Sequence, residues 1–249
     1  MPLRLIDVQC GFGGARPGRQ VVALGELVAD MDRLQIDRAL ARILPDVLDL
    51  DVVRSNGVLL EAAAGERRLA PCPVVLPAAA GDLPSEAEQA SAAVRAGAGA
   101  VCVRPGLDCW SLAPWVCDRL FGALQERRLP VLCAQRHVPL DEVGRLAGAY
   151  PGLPFIVAEV GYRQLRTLLP LLEAFPNTYL SVGSLWTVHE GLERLAERVG
   201  AERLLFGTGF PEVEPMMAVT QLTYSALSEE QKALVGAENF ERLFGEVLR

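Results

Sequence analysis

Strand-like and helix-like patterns alternate along this chain from one end to the other. Short runs that are apolar on both faces fall at 3–8, 38–44, 71–76, 99–104, 129–134, 154–159, 178–182 and 203–207. Parallel strands buried on both sides look like this. Amphipathic stretches lie between them, near 22–34, 48–64, 84–96, 112–127, 140–149, 162–175, 186–199 and 214–226. From Ser228 to Leu248 a last stretch reads as a helical tail, and Ser228-Glu229-Glu230-Gln231 has the form of a capping box at its start. Eight strands alternating with eight helices in 249 residues predict an α/β fold, a (β/α)8 TIM barrel with a C-terminal helical tail. No linker or shift in composition divides the chain, so residues 1–249 are read as one domain. The rival is a doubly wound open sheet. Its best support is Gly11-Phe12-Gly13-Gly14 between a strand and a helix, but a dinucleotide loop would need glycine where Arg16 stands. A plain turn is the simpler reading.

Composition narrows the partners. A net charge of −7, with arginines scattered among Glu and Asp, argues against nucleic acid or an anionic membrane surface. No run approaches the ~20 apolar residues of a membrane-spanning helix. The apolar stretch from Leu69 to Ala80 is broken by Pro71, Pro73 and Pro77. The chain enters its first strand without a signal-peptide pattern. Cys10, Cys72, Cys102, Cys109, Cys117 and Cys133 include no C-x-x-C pair, and four of the six fall in apolar strand-like runs. Free buried thiols in a reducing cytoplasm are expected.

Several phrases, in order along the chain, resemble the amidohydrolase superfamily and within it the amidohydrolase-related branch that includes decarboxylases and lactonases. Leu3-Arg4-Leu5-Ile6-Asp7-Val8-Gln9-Cys10-Gly11 resembles its first strand, and Ala29 to Ala39 its helix-to-second-strand phrase. Leu129-Pro130-Val131-Leu132 and Pro154-Phe155-Ile156-Val157-Ala158 resemble its fifth and sixth strands. Glu202 to Pro211 resembles the eighth-strand motif, and Gly236-Ala237-Glu238-Asn239-Phe240-Glu241-Arg242-Leu243 the closing one. The resemblance implies a barrel with a divalent metal held by four histidines and an aspartate. At those positions this chain carries Gln9, Gly11, Ala134, Glu159 and Gly209, and its only histidines are His137 and His189. The expectation is therefore a barrel of this family without the metal site and with no other cofactor.

Polar groups remain at the predicted carboxyl ends of strands, where barrel enzymes keep their chemistry. Glycine- and proline-rich loops at 11–18, 77–84 and 105–109 belong to the same end. Gln9, Arg104, Gln135, Glu159 and Ser181 are the candidates, with His137 on the rim. Gln9, Arg104 and Glu159 are expected to converge. Glu159, beside Ile156, Val157 and Val160, is either an acid or base with a raised pKa or the ion-pair partner of Arg104. Arg104 before Pro105-Gly106 could instead grip a substrate carboxylate or phosphate in bidentate fashion. Trp110 could cap the pocket. Trp115 and His189 are expected to serve helix packing and structure.

Two functions stay open on these residues, with a third behind them. One is a metal-free binding protein or pseudoenzyme that takes a small molecule, anionic if Arg104 meets it. The second is a metal-independent hydrolase or lyase using Glu159 with Arg104 and Gln9, and the third a metal-dependent hydrolase with an unusual site. A cytoplasmic location is expected. Whether copies form a homo-oligomer is left open by the residues.

Overall fold

A computed structural model describes residues 3–14, 21–44, 51–183, 186 and 188–248. Positions 15–18 of the first glycine-rich loop, 48–50 of the second helical stretch and Thr187 of the seventh lie outside the described residues. The strands are β1 (Ile6–Phe12), β2 (Arg38–Ile43), β3 (Leu69–Pro71), β4 (Val101–Cys102), β5 (Val131–Ala134), β6 (Phe155–Ala158), β7 (Thr178–Val182) and β8 (Leu204–Phe206). The helices between and after them are α1 (Leu24–Leu34), α2 (Val52–Gly65), α3 (Glu86–Arg95), α4 (Pro114–Glu126), α5 (Leu140–Ala149), α6 (Leu165–Ala174), α7 (Gly191–Val199) and α8 (Met216–Thr223). No helix among the described residues is long and apolar enough to cross a membrane.

Every strand pairs in parallel, β1-β2-β3 in one run and β4 through β8 in another. Two seams close the ring. Between β3 and β4 a Val74–Cys102 bridge carries the pairing on, with Cys102 N donating to Pro73 O at 2.9 Å. Between β8 and β1, Gly209 N donates to Gln9 O at 2.8 Å and Gly11 N to Phe210 O at 3.1 Å. β3 ends where the expected run 71–76 begins, because Pro71 and Pro73 bring no N–H to the ladder. Side chains complete the rest of that segment. The Asn56 amide pairs with both backbone groups of Val74, and Gln89 with both of Leu76.

Two apolar layers follow from the alternation of side chains along each strand. Ile6, Val8, Leu40, Ala70, Cys72, Ala100, Leu132, Ile156 and Leu205 fill the barrel. Leu180, Val131, Val157 and Phe206 pack outward against helix faces such as Leu140, Val143, Leu146 and Ala147 of α5. The tail is helical as expected, with a π-helical stretch in its middle. It runs as α9 (Glu229–Ala233), a π-turn over Leu234–Glu238 and α10 (Asn239–Gly245). Ser228 does cap α9, its hydroxyl accepting from Gln231 N at 3.2 Å while Gln231 Oε1 accepts from Ser228 N at 3.0 Å. Asn239, wholly buried, donates to the carbonyls of Ala201 and Leu204 at 2.8 Å each, which pins the tail to β8. Phe240 then plugs the barrel floor. A Cβ on Gly99 would come 2.7 Å from its ring, so glycine makes that approach possible.

Candidate functional site

The carboxyl ends of the strands form two unlike neighbourhoods. At the β8–β1 seam, buried Asp7 accepts from Thr208 N at 2.9 Å, Thr208 Oγ1 at 2.5 Å and Gln9 N at 2.8 Å. Burial pushes its carboxyl up, and the bonds from Thr208 and Gln9 oppose that. Past a register shift between Asp7 and Cys10, the Gln9 side chain accepts from Ser181 Oγ on β7 at 2.9 Å. Gly207 lets the two meet, since a Cβ there would sit 2.2 Å from Ser181 Oγ and 2.8 Å from Gln9 Cβ.

Charges hold the other side together. Glu159, one residue past β6, has φ of 62° and a side chain only 6% exposed. Its Oε1 accepts from Arg42 Nη2 at 2.5 Å, and its Oε2 is bonded to Arg136 Nε. Arg136 reaches onward to Glu212, beyond β8, through both terminal nitrogens. Burial alone would raise the Glu159 carboxyl, but the two guanidiniums outweigh it and hold it below the usual carboxylate range. Next to this chain Arg104 makes a two-pronged pair with Asp108, Nε to Oδ2 at 3.0 Å and Nη2 to Oδ1 at 2.7 Å, both side chains buried.

Three expectations are corrected by this geometry. Glu159 is paired with Arg42 and Arg136 rather than Arg104, because Asp108 lies one helical turn from Arg104 and takes its fork first. The Glu159 pKa is lowered rather than raised, because two cations touch it. Gln9, Arg104 and Glu159 do not form one cluster. Gln9 turns to Ser181, while Arg104 lines a cleft with Arg42, Arg136, His137 and Glu212. That cleft has about 20 Å³ of free space, room for a water or two. His137 stands in its wall, where burial first, and then Arg136, Arg42 and Arg104, push its pKa down to about 4 against the pull of Glu159. Gln135 is half-buried and outside the lining, its backbone N–H donating to Ala158 O at 2.9 Å. His189 sits in the turn before α7 with 90% of its side chain exposed, and Trp115 on α4 is 88% exposed, so neither packs inside as expected. Trp110 packs against the outer apolar layer instead of capping the cleft. The cysteines other than Cys109 are buried and free.

Sequence reasoning missed Arg42, Arg136, Asp108 and Glu212. Arg42 had a visible signal. It ends the apolar run Ala39-Leu40-Ala41 just as Arg104 ends Val101-Cys102-Val103.

The metal implied by the amidohydrolase resemblance does not fit the residues at positions 9, 11, 134, 159 and 209. Divalent zinc asks for three or four good donors. Both Glu159 oxygens are held by arginines, and Ala134 offers a methyl group. A Cβ on Gly11 would meet the Arg42 carbonyl and the Leu44 side chain at 2.8 Å each, so that position has no room for any ligand side chain. Gly209, at φ of +80°, is strained for any side chain and lies beside Gln9 and Val213. Among the described residues no three His, Cys, Asp or Glu side chains gather as a metal would require. A larger apolar groove of about 480 Å³ lies outside the barrel between α2 and α3, but the amides of its Asn56 and Gln89 are consumed by neighbouring backbone.

Among curated proteins none matches the chain in sequence. Solved structures match it along nearly its whole length. A dihydroxybenzoic acid decarboxylase from a Polaromonas species, solved with manganese and 2-nitroresorcinol, superposes with a TM-score of 0.77 at 16% identity, covering 98% of this chain and 97% of that one. A 5-carboxyvanillate decarboxylase from Sphingomonas paucimobilis does so at 0.76 and 15%, covering 98% and 99%. An uncharacterised TIM-barrel protein from Bordetella bronchiseptica gives 0.73 and 14%, again covering 98% and 99%. At such identities the likeness establishes the (β/α)8 fold. The family model Amidohydro_2, described as amidohydrolase, matches residues 13–245, and the chain belongs to that family.

Proposed function

We propose that this amidohydrolase-family barrel works without a divalent metal, as a small-molecule-binding protein rather than a metallohydrolase. The fate of Glu159 carries this reading. It is the one carboxylate among the positions the resemblance gives to metal ligands, and both its oxygens are committed to Arg42 and Arg136. A carboxylate held below its usual range is also a poor general acid and a weak base near neutral pH, which weighs against the metal-independent lyase or hydrolase built on Glu159. The manganese-bound decarboxylase in the comparison carries a resorcinol in its structure. A cleft of about 20 Å³ has no room for such a ring.

Metal analysis of protein purified without added metal tests the proposal. Well under one divalent ion per chain is expected, with melting unchanged by chelator or by added manganese. A stoichiometric ion, or a chelator-dependent fall in melting temperature, contradicts it.

A further inference from the structure

Helix α2 carries more apolar side chains than it buries. Leu59 alone is buried, although Val52, Val53, Val58 and Leu60 lie on the same helix, and Val53 is 64% exposed. Across from it α3 presents the small side chains of Ala92 and Ala93. The groove between the two helices holds about 480 Å³, within the range of small-molecule pockets. A Cβ on Gly57, in the α2 wall, would meet nothing within 4 Å.

The polar groups of floor and walls satisfy one another. The floor is the chain beyond β3, from Pro73 to Val75. Pro73 O accepts from Cys102 N at 2.9 Å, and Val75 N donates to Cys102 O at 3.2 Å. The Asn56 amide takes both backbone groups of Val74, and the Gln89 amide is held by Leu76 and Pro84. What faces the groove is therefore mainly hydrocarbon.

Two charges stand at opposite ends of its α3 wall. Glu88 lies in the first turn, its carboxylate already accepting from the Ser85 hydroxyl at 2.6 Å and the Ser85 N–H at 2.9 Å. Arg95 ends the helix, about 10 Å further along the axis. It is exposed, and among the described residues no hydrogen bond or ion pair holds it. An amphiphile with an anionic head fits such a trough in one direction, head at Arg95 and tail along α3 toward Leu83. A guanidinium grips a carboxylate head in two-pronged fashion.

We infer that the groove between α2 and α3 is a binding site for a free aliphatic carboxylate of medium chain length, its tail against Val53, Leu60 and Val74 and its head on Arg95. The groove and the cleft at the barrel mouth share no lining residue, so the site is independent of the metal-free reading.

Isothermal titration calorimetry of the full chain with sodium octanoate, kept below its micelle-forming concentration, tests the inference. One saturable site per chain is expected. Octan-1-ol, which lacks the charge-assisted bond, should bind about tenfold more weakly, and sodium acetate should give no saturable heat. Arg95→Gln should bring octanoate down to the octan-1-ol affinity and leave octan-1-ol unchanged. Gly57→Leu puts a side chain into the open space beside α2, on a helix that gains from losing a glycine, and should abolish binding of both. No saturable octanoate binding, equal affinity for octanoate and octan-1-ol, or binding that survives Gly57→Leu would each overturn the inference. So would a wild type that sediments as a dimer and a Gly57→Leu variant that sediments as a monomer, with octanoate changing neither, since a second copy would then cover the groove. Stoichiometric manganese uptake would overturn the metal-free reading and leave these outcomes unchanged.

Discussion

The two sides of the barrel mouth reach the same end, buried polar groups with partners, by different means. At the β8–β1 seam one carboxylate, Asp7, gathers hydrogen bonds from Thr208 and from the Gln9 backbone, and the Gln9 side chain is held by Ser181. Among the described residues no cation pairs with Asp7 there. On the β2–β5–β6 side, Arg42, Glu159, Arg136 and Glu212 form a chain of ion pairs, with Arg104 and Asp108 beside it. The first arrangement closes the barrel and occupies both oxygens of Asp7. The second leaves a small cleft and an unused donor. Backbone seams favour short, local bonds, whereas long guanidinium side chains span the ring and need not fill it.

Removing the hub of the charged side should have the largest effect. Glu159→Gln leaves Arg42 and Arg136 with an uncharged partner, and urea unfolding should show a loss of about 3–5 kcal/mol. A variant as stable as the wild type would mean that the ion pairs do not hold this side. At the seam, Asp7→Ala strips three donors of their acceptor and should cost about 3 kcal/mol by the same measurement. If it costs as little as a single neutral hydrogen bond, the seam is held by backbone pairing alone. Ser181→Ala removes one such neutral bond to Gln9 and should cost about 1 kcal/mol.

Acid separates the two sides further. Between the ordinary histidine pKa of about 6.5 and the His137 value of about 4, the unfolded chain binds a proton that the folded chain refuses. Stability should fall as pH drops through that window, and the His137 contribution should level off below it. His137→Asn should flatten that part of the profile. Because the Glu159 pKa is lowered on folding, its contribution is present above the unfolded carboxyl value of about 4.3. It is lost only as pH falls through the folded value, which gives a second, more acid decline. A profile unchanged by His137→Asn would show that the ring is not the group refusing the proton. The smallest effect belongs to Trp115→Ala, within about 0.5 kcal/mol of wild type, because the ring lies in solvent on α4. A larger loss would reveal a contact that this exposure conceals.

Much of the frame was legible before the structure. The amphipathic run at 140–149 is α5 to the residue, and 178–182 is β7, because periodicity and burial agree there. Agreement failed where one local feature overrode the pattern. Pro71 and Pro73 lack ladder donors, and β3 lies at Leu69–Pro71, sharing only Pro71 with the expected 71–76. In the seventh helical stretch Trp186 is buried ahead of the helix, which begins only at Gly191. The site was half legible. Strand-end polar residues could be named, since alternation carries them to the mouth. Their pairing could not, because an arginine side chain reaches several neighbours and the choice depends on who is nearest in three dimensions. Arg104 found Asp108 four residues on, and that left Glu159 to Arg42, a strand-end residue as readable as Arg104 but overlooked. Only the geometry reveals that the outward cation from Arg136 goes to Glu212, 76 residues away.

The central claim is that arginines, not a metal, hold Glu159. Crystals grown with manganese, and diffraction collected at its absorption edge, test this directly. The account predicts no anomalous peak at the barrel mouth and a Glu159 carboxylate bridging Arg42 and Arg136. A peak beside Glu159, with its carboxylate turned away from both arginines, would contradict it.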